Sequence, residues 1–269
     1  ESAENYDGEN SNSEKMGILE FKNLNFQYAP HLPNVISNFS LKIPAGQKLA
    51  IVGRTGSGKT TLISLLQKLY LPPSESIFVD GVAIEKISLG SLRRKIGVVQ
   101  QDNFIFKGTI ASNIRLALEN VTDEEIARAC RIIGYEEILK LSGRDIHSTV
   151  EERGSNLSLG ERQLIAFARI IVFKPEILIL DEATANIDSQ NEQYIQRAVD
   201  VVSKNQTTII IAHRLSTIEK CDQIVHLKKG EMIEKGSYSE LILKKGEFSH
   251  MVSSGFKTID SASVDPTPS

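Results

Sequence analysis

One octet constrains this fold more than anything else in the sequence. Gly53-Arg54-Thr55-Gly56-Ser57-Gly58-Lys59-Thr60 sits between an apolar run at 48–52 and a helix-like run at 60–69. This is the pattern G-x-x-x-x-G-K-T in strand–loop–helix context, the arrangement of a phosphate-binding P-loop. Gly53, Gly56 and Gly58 let the backbone curl so that successive N–H groups point at one anion. The helix start adds partial positive charge at the same spot. Lys59 can reach β- and γ-phosphates, and the Thr60 hydroxyl can ligate Mg²⁺. The candidate triphosphate-binding set is therefore Gly53, Arg54, Thr55, Gly56, Ser57, Gly58, Lys59, Thr60 and Thr61.

Composition narrows the class. The 269 residues are 41% hydrophobic, which supports a substantial core. Net charge is −3, from 31 basic and 34 acidic residues. Without a basic excess, nucleic acid is not expected as the main partner. No apolar run approaches the ~20 residues of a bilayer-spanning helix, so the chain as given is expected to be soluble. Cys130 and Cys221 stand apart, with neither C-x-x-C nor metal spacing. They read as reduced, buried thiols in a cytosolic compartment.

Along the chain, residues 1–15 are rich in Glu, Asn and Ser and read as a disordered linker. Residues 254–269 read as a disordered tail. The alternating stretches 17–28 and 35–43 predict strands. Tyr28 closes the first of them, as a strand-end aromatic or as a ring that stacks on a base. A short strand at 77–79 with Asp80-Gly81 after it, a basic helix at 91–95 and a strand at 96–100 follow. Residues 109–130 and 135–141 predict helices, an inserted block between sheet strands. Ser158, with Glu161 three residues on, predicts a capped helix running to about residue 172. Residues 190–202 and 239–253 predict helices, 207–212 a strand, and 224–236 a hairpin.

Polar groups recur where buried strands end. Gln101 follows one strand, and His213 another. The run 176–180 ends in Asp181 and Glu182. Parallel sheets place ligand-contacting residues at that edge. In a P-loop protein the first acid, Asp181, holds Mg²⁺, and Glu182 is placed to polarise a water.

These stations in this order resemble the ATP-binding cassette (ABC) family, over roughly residues 17–251. Residues 53–60 resemble its Walker A, and Ile177–Asp181 with Glu182 its Walker B and catalytic glutamate. Gln101 resembles the Q-loop, Ser158-Leu159-Gly160-Glu161 the signature, Asn186-Ile187-Asp188 the D-loop and His213 the switch histidine. Tyr28 then falls where the family has an adenine-stacking aromatic. The expected fold class is α/β: a P-loop NTPase core with a mostly parallel sheet flanked by helices, an N-terminal antiparallel β-subdomain and an inserted α-helical subdomain. The domain would span 16–253, with the insertion at about 103–172.

The resemblance implies an ATPase of the exporter branch that binds ATP and Mg²⁺. Thr60, Gln101 and Asp181 would arrange the metal. Glu182, His213 and Gln101 would act in catalysis. Two such domains would pair head to tail, so that Ser158, Leu159, Gly160, Glu161 and Asp188 complete the partner's ATP site. Transmembrane domains would lie on the same full-length polypeptide, placing the domain at the cytoplasmic face of a membrane. Alternatives are a soluble relative acting on nucleic acid or ribosomes, and a nucleotide-gated clamp with little turnover. The signature departs from the usual Ser-Gly-Gly-Gln. Leu159 restricts backbone there, and Glu161 is expected to bring negative charge near a triphosphate.

Overall fold

The structure is a computed structural model that describes residues 16–100, 103–116, 118, 120–181, 189–204, 206–212 and 214–254, the side chains of 189–192 excepted. Strands β1 (Leu19–Phe26) and β2 (Ile36–Ile43) pair antiparallel. β3 (Lys48–Val52) then feeds α1 (Lys59–Leu66) through the glycine loop. β4 (Ile77–Val79) and β5 (Val82–Ala83) complete an antiparallel sheet of order β2-β1-β4-β5. α2 (Leu89–Lys95) leads into β6 (Ile96–Val99). The helical block follows: α3 (Ile110–Arg115), α4 (Asp123–Ile133), α5 (Tyr135–Leu141) and α6 (Leu159–Phe173), with the short pair β7 (Gly108–Thr109) and β8 (Thr149–Val150) bracing it. β9 (Ile177–Asp181), α7 (Ser189–Val202), β10 (Thr207–Ile211) and α8 (Leu215–Ile218) return the chain to the main sheet. The hairpin β11 (Gln223–Lys228) and β12 (Glu231–Gly236) precedes α9 (Tyr238–Lys244) and α10 (Glu247–Ser253).

The main sheet has the order β12-β11-β3-β10-β9-β6, parallel except for β12. Its strands are apolar on both faces, and the two-residue period divides them between two cores. Leu49, Ile51, Ile177, Ile179, Ile209 and Ile211 face α1 and the antiparallel sheet. Ala50, Val52, Leu178, Leu180 and Ile210 face the helical block. One strand thus builds two layers, which is why the runs read as continuous hydrophobe rather than as alternation. Cys130 and Cys221 are buried and free, as expected, and burial pushes each thiol up to about 12. Thiols so raised stay protonated and act as small hydrophobes.

Two predicted helices are each two helices. The run at 109–130 breaks after Arg115, because Leu116 takes a left-handed backbone (φ 45°) and Thr122 starts α4 with a full capping box to Glu125. The run at 239–253 breaks at Lys245 (φ 52°) and Gly246. There the Glu234 carboxylate of β12 accepts the Phe248 N–H at 2.6 Å, at the start of α10. A Cβ on Gly246 would lie 2.1 Å from Glu234 Oε1, so any side chain there would push the capping carboxylate aside. The helix after the glycine loop is also shorter than predicted, ending at Leu66 with Lys68 in a left-handed turn.

Away from the glycine loop, Asp80 fastens the start of the described chain. It accepts the N–H groups of Gly17 at 2.6 Å and Ile18 at 2.9 Å. It also pairs with Lys95 at 3.1 Å, and Lys95 reaches Glu176 at 2.6 Å. Burial pushes the Asp80 carboxyl up, but the two backbone donors and Lys95 outweigh it and hold it below its ordinary value. Asp80→Asn should cost about 2 kcal/mol, the value of hydrogen bonds to a charged group. A depressed folded pKa stabilises above the unfolded value of about 4, and that stability is lost as pH falls through the folded value. Urea melts of wild type and Asp80→Asn should therefore differ at pH 7, and the gap should narrow as pH falls below about 4. A gap that stayed constant as the pH was lowered would contradict this.

Candidate functional site

The glycine loop is held in its cradle by close packing. Gly53 has φ 152°, and a Cβ there would lie 2.3 Å from the Leu227 carbonyl oxygen and 2.6 Å from Ser57 Oγ. Gly58 has φ 105°, and its Cβ would meet Ile36 Cδ1 at 2.6 Å. The Gly230 N–H donates to the Ser57 carbonyl at 3.0 Å, bracing the loop from the β11–β12 turn. Ser57 Oγ is buried and has no hydrogen-bond partner among the described residues. Lys59 is 8% exposed. Its Nζ donates to the carbonyls of Gly53 at 2.7 Å and Arg54 at 3.1 Å, so its charge lies over the loop. Arg54, Thr55, Gly56 and Thr60 are exposed, and Thr61 is buried.

Tyr28 stands beside α1. Its hydroxyl shares a 2.9 Å hydrogen bond with Thr61 Oγ1. Its ring packs edge-on against Phe26 at 5.2 Å and Tyr70 at 4.9 Å. Yet 45% of the residue is exposed. A ring pinned by its hydroxyl and its edges, but open to solvent, suits base stacking. Tyr70, which supports it, was not legible in the sequence.

The strand ends converge on one edge. In register, Ile211 of β10 pairs with both Ile51 of β3 and Asp181 of β9. Asp181 therefore lies two strands from the loop-bearing strand, about 10 Å at ordinary strand spacing. It is half-buried at the carboxyl end of β9. Val99 of β6 pairs with Leu180, at the same edge. Gln101, Glu182, Asp188 and His213 lie outside the described residues. The donor set of Thr60 hydroxyl and Asp181 carboxylate is hard oxygen, which fits Mg²⁺ held by one or two protein groups plus phosphates.

A cleft of about 600 Å³ opens beside the loop, between Arg54–Ser57, Lys228, Lys229 and His250. Four residues of the glycine loop line it, but Lys59, Thr60 and Tyr28 do not.

Ser158 caps α6 in a complete capping box, with Glu161 N donating to Ser158 Oγ at 3.2 Å and Ser158 N to Glu161 Oε2 at 2.9 Å. Ser158 is exposed, Leu159 half-buried and Gly160 buried. Glu161 departs from expectation. Its carboxylate is turned inward, 6% exposed, with Oε1 on the Arg144 guanidinium. A negative charge so paired is not presented to solvent.

The family model described as ABC transporter matches residues 36–185, more than half of the chain. The chain belongs to the ABC transporter family. It is 44% identical over 244 residues to the probable multidrug resistance ABC transporter ATP-binding/permease protein YheH of Bacillus subtilis (strain 168), covering 91% of this chain and 36% of that protein. It is 43% identical over 242 residues to the uncharacterized ABC transporter ATP-binding protein YknV of the same organism, covering 90% and 40%. The chain thus spans about two-fifths of the curated relatives it matches. Among solved structures, a bacterial Atm1-family ABC exporter with ATP bound superposes with a TM-score of 0.81 at 34% identity, over 89% of this chain and 42% of that one. The mixed α/β fold with a mostly parallel sheet is that of the ABC nucleotide-binding domain. Among the described residues, no helix is long and apolar enough to cross a membrane.

Within this ABC domain, two residues that sequence reasoning missed tie α6 to the segment 104–113. Arg169 of α6 donates to the Asn113 carbonyl at 2.8 Å, the Phe104 carbonyl at 2.9 Å and Asn113 Oδ1 at 3.2 Å. Burial pushes its guanidinium down to about 10. Asn113, 1% exposed, accepts the Phe106 N–H at 2.9 Å and donates to the Phe106 and Thr109 carbonyls. An arginine in a helix such as Arg169 carries no signal in a single sequence. A polar side chain inside the apolar pattern of α3 was the one available clue.

Proposed function

We propose that this chain is the ATP-binding and ATP-hydrolysing domain of an ABC exporter. The observation that carries the reading is the cradle itself. A glycine loop too tight for side chains at Gly53 and Gly58 folds Lys59 back over its own carbonyls, beside the exposed Thr60 and on the same sheet edge as Asp181. Such a loop gathers backbone N–H groups and one cation around a triphosphate. Tyr28 supplies a platform for the base. Thr60, Asp181 and Gln101 would hold Mg²⁺, which when bound neutralises phosphate charge. Glu182 would orient and polarise the attacking water, and His213 would hold the γ-phosphate. Positioning and charge stabilisation would carry most of the rate.

The exposed α6 start, with Ser158 at its cap, supports a second anion contact. In our reading it serves the ATP of an opposite domain, paired head to tail, with Asp188 beside it. ATP would then close the pair and hydrolysis would release it. The names of the relatives support membrane-spanning domains on the same polypeptide and export as the work done.

Tyr28 gives a direct test of the nucleotide. Tyr28→Ala should weaken ATP binding about tenfold, the value of one base–aromatic stack. Tyr28→Phe keeps the ring and loses the bond to Thr61, so its affinity should stay within about threefold of wild type. Equilibrium binding of labelled ATP to the full-length polypeptide measures both. Equal affinity across all three proteins would remove the ring from the site.

A further inference from the structure

The signature turn carries a carboxylate where the family usually has a carboxamide, and the structure supplies it with a partner. Glu161 Oε2 accepts the Ser158 N–H, and Oε1 takes the Arg144 guanidinium. Arg144 is itself fixed. Its N–H donates to the Leu139 carbonyl at 2.8 Å and its Nε to Ser142 Oγ at 3.0 Å. Beside the pair, Tyr135 is wholly buried, and its hydroxyl has no partner among the described residues.

We propose that Arg144 is a positioning residue for the nucleotide bound across the pair: it neutralises and orients Glu161, so that Ser158 and the first N–H groups of α6 present positive potential to the opposite triphosphate. The proposal rests on the head-to-tail reading above. Its chemistry is specific to a carboxylate. With a glutamine at position 161, one oxygen could still accept the Ser158 N–H, but the amide NH₂ would face the guanidinium as donor against donor. Glu161 and Arg144 thus form a matched replacement for the usual residue. Remove Arg144 alone, and a buried carboxylate is left without its counter-charge, beside the place where the opposite phosphates would sit.

The test uses the full-length transporter with Glu182→Gln in this half and the equivalent change in the opposite half, so that nucleotide is retained without turnover. The halves carry different tags. Radiolabelled 8-azido-ATP with Mg²⁺ is bound, excess is washed away, and photolysis marks the half that holds it. With Arg144→Ala in this half only, label on the opposite half should fall about tenfold or more, while label on this half stays within about twofold. In a Glu161→Gln background, Arg144→Ala should change the opposite label by less than about threefold. Equal loss from both halves would show a general folding defect and overturn the proposal, as would no loss at all. Ser158→Arg in this half is the control. If it depletes the opposite half while Arg144→Ala does not, the proposal alone falls. If it depletes only its own half, the head-to-tail reading falls and takes the proposal with it.

Discussion

Exchanging Glu182 for glutamine should cut ATP turnover by the assembled transporter by about 10²–10³-fold, within the usual range for a positioned general base. That loss corresponds to about 3–4 kcal/mol of barrier. ATP affinity should hold, because the change keeps the side chain's size and removes only its charge. The expectation rests on the β9–β10 ladder. It runs in register to Asp181↔Ile211, at the edge where the glycine loop leaves β3. The next residue along the chain is Glu182. Phosphate release measured at saturating MgATP, with equilibrium ATP binding alongside, separates the two effects. A variant that turned over at the parent rate would take Glu182 out of the chemistry.

The second large effect is structural. Arg169→Ala should lower local stability by about 3 kcal/mol, since three acceptors in a buried setting lose a charged donor together. Hydrogen exchange should report it best. Amides of α3 and the segment before it, at 104–115, should exchange on the order of 100-fold faster. Arg169→Lys should recover little, because an ammonium cannot span the Phe104 carbonyl and both Asn113 oxygens as a planar fork does. Unchanged protection over 104–115 would mean that α6 and that segment are held together by apolar packing alone.

Much of this fold was legible because its physics is local. Buried parallel strands such as β3, β9 and β10 are short apolar runs, and their ends fell within a residue of expectation. The glycine loop announced itself through residue types that nothing else requires. Ser158 and Glu161 were readable as a capping box. The helix breaks were less so. Leu116 and Lys245 take left-handed backbone that neither residue favours by itself, and the second break depends on Glu234, eleven positions upstream. Arg144 lies seventeen positions from Glu161 and Arg169 fifty-six from Asn113. Pairings at that range leave no period in one sequence. Glu161 was visible as an odd residue in the signature, and the sequence alone suggested that its charge would meet the nucleotide. Its burial against Arg144 changes that: the charge is paired within the chain.

The central claim is that one triphosphate is gripped by Lys59 of one protomer and by the Ser158 turn of its partner. A structure of the full-length transporter carrying Glu182→Gln, determined with MgATP, tests it most directly. The expected result is γ-phosphate oxygens within hydrogen-bond distance of Lys59 Nζ in one half and of the Ser158 hydroxyl in the other, with the metal on Thr60. Nucleotide enclosed wholly within one protomer, with the α6 start facing solvent, would contradict it.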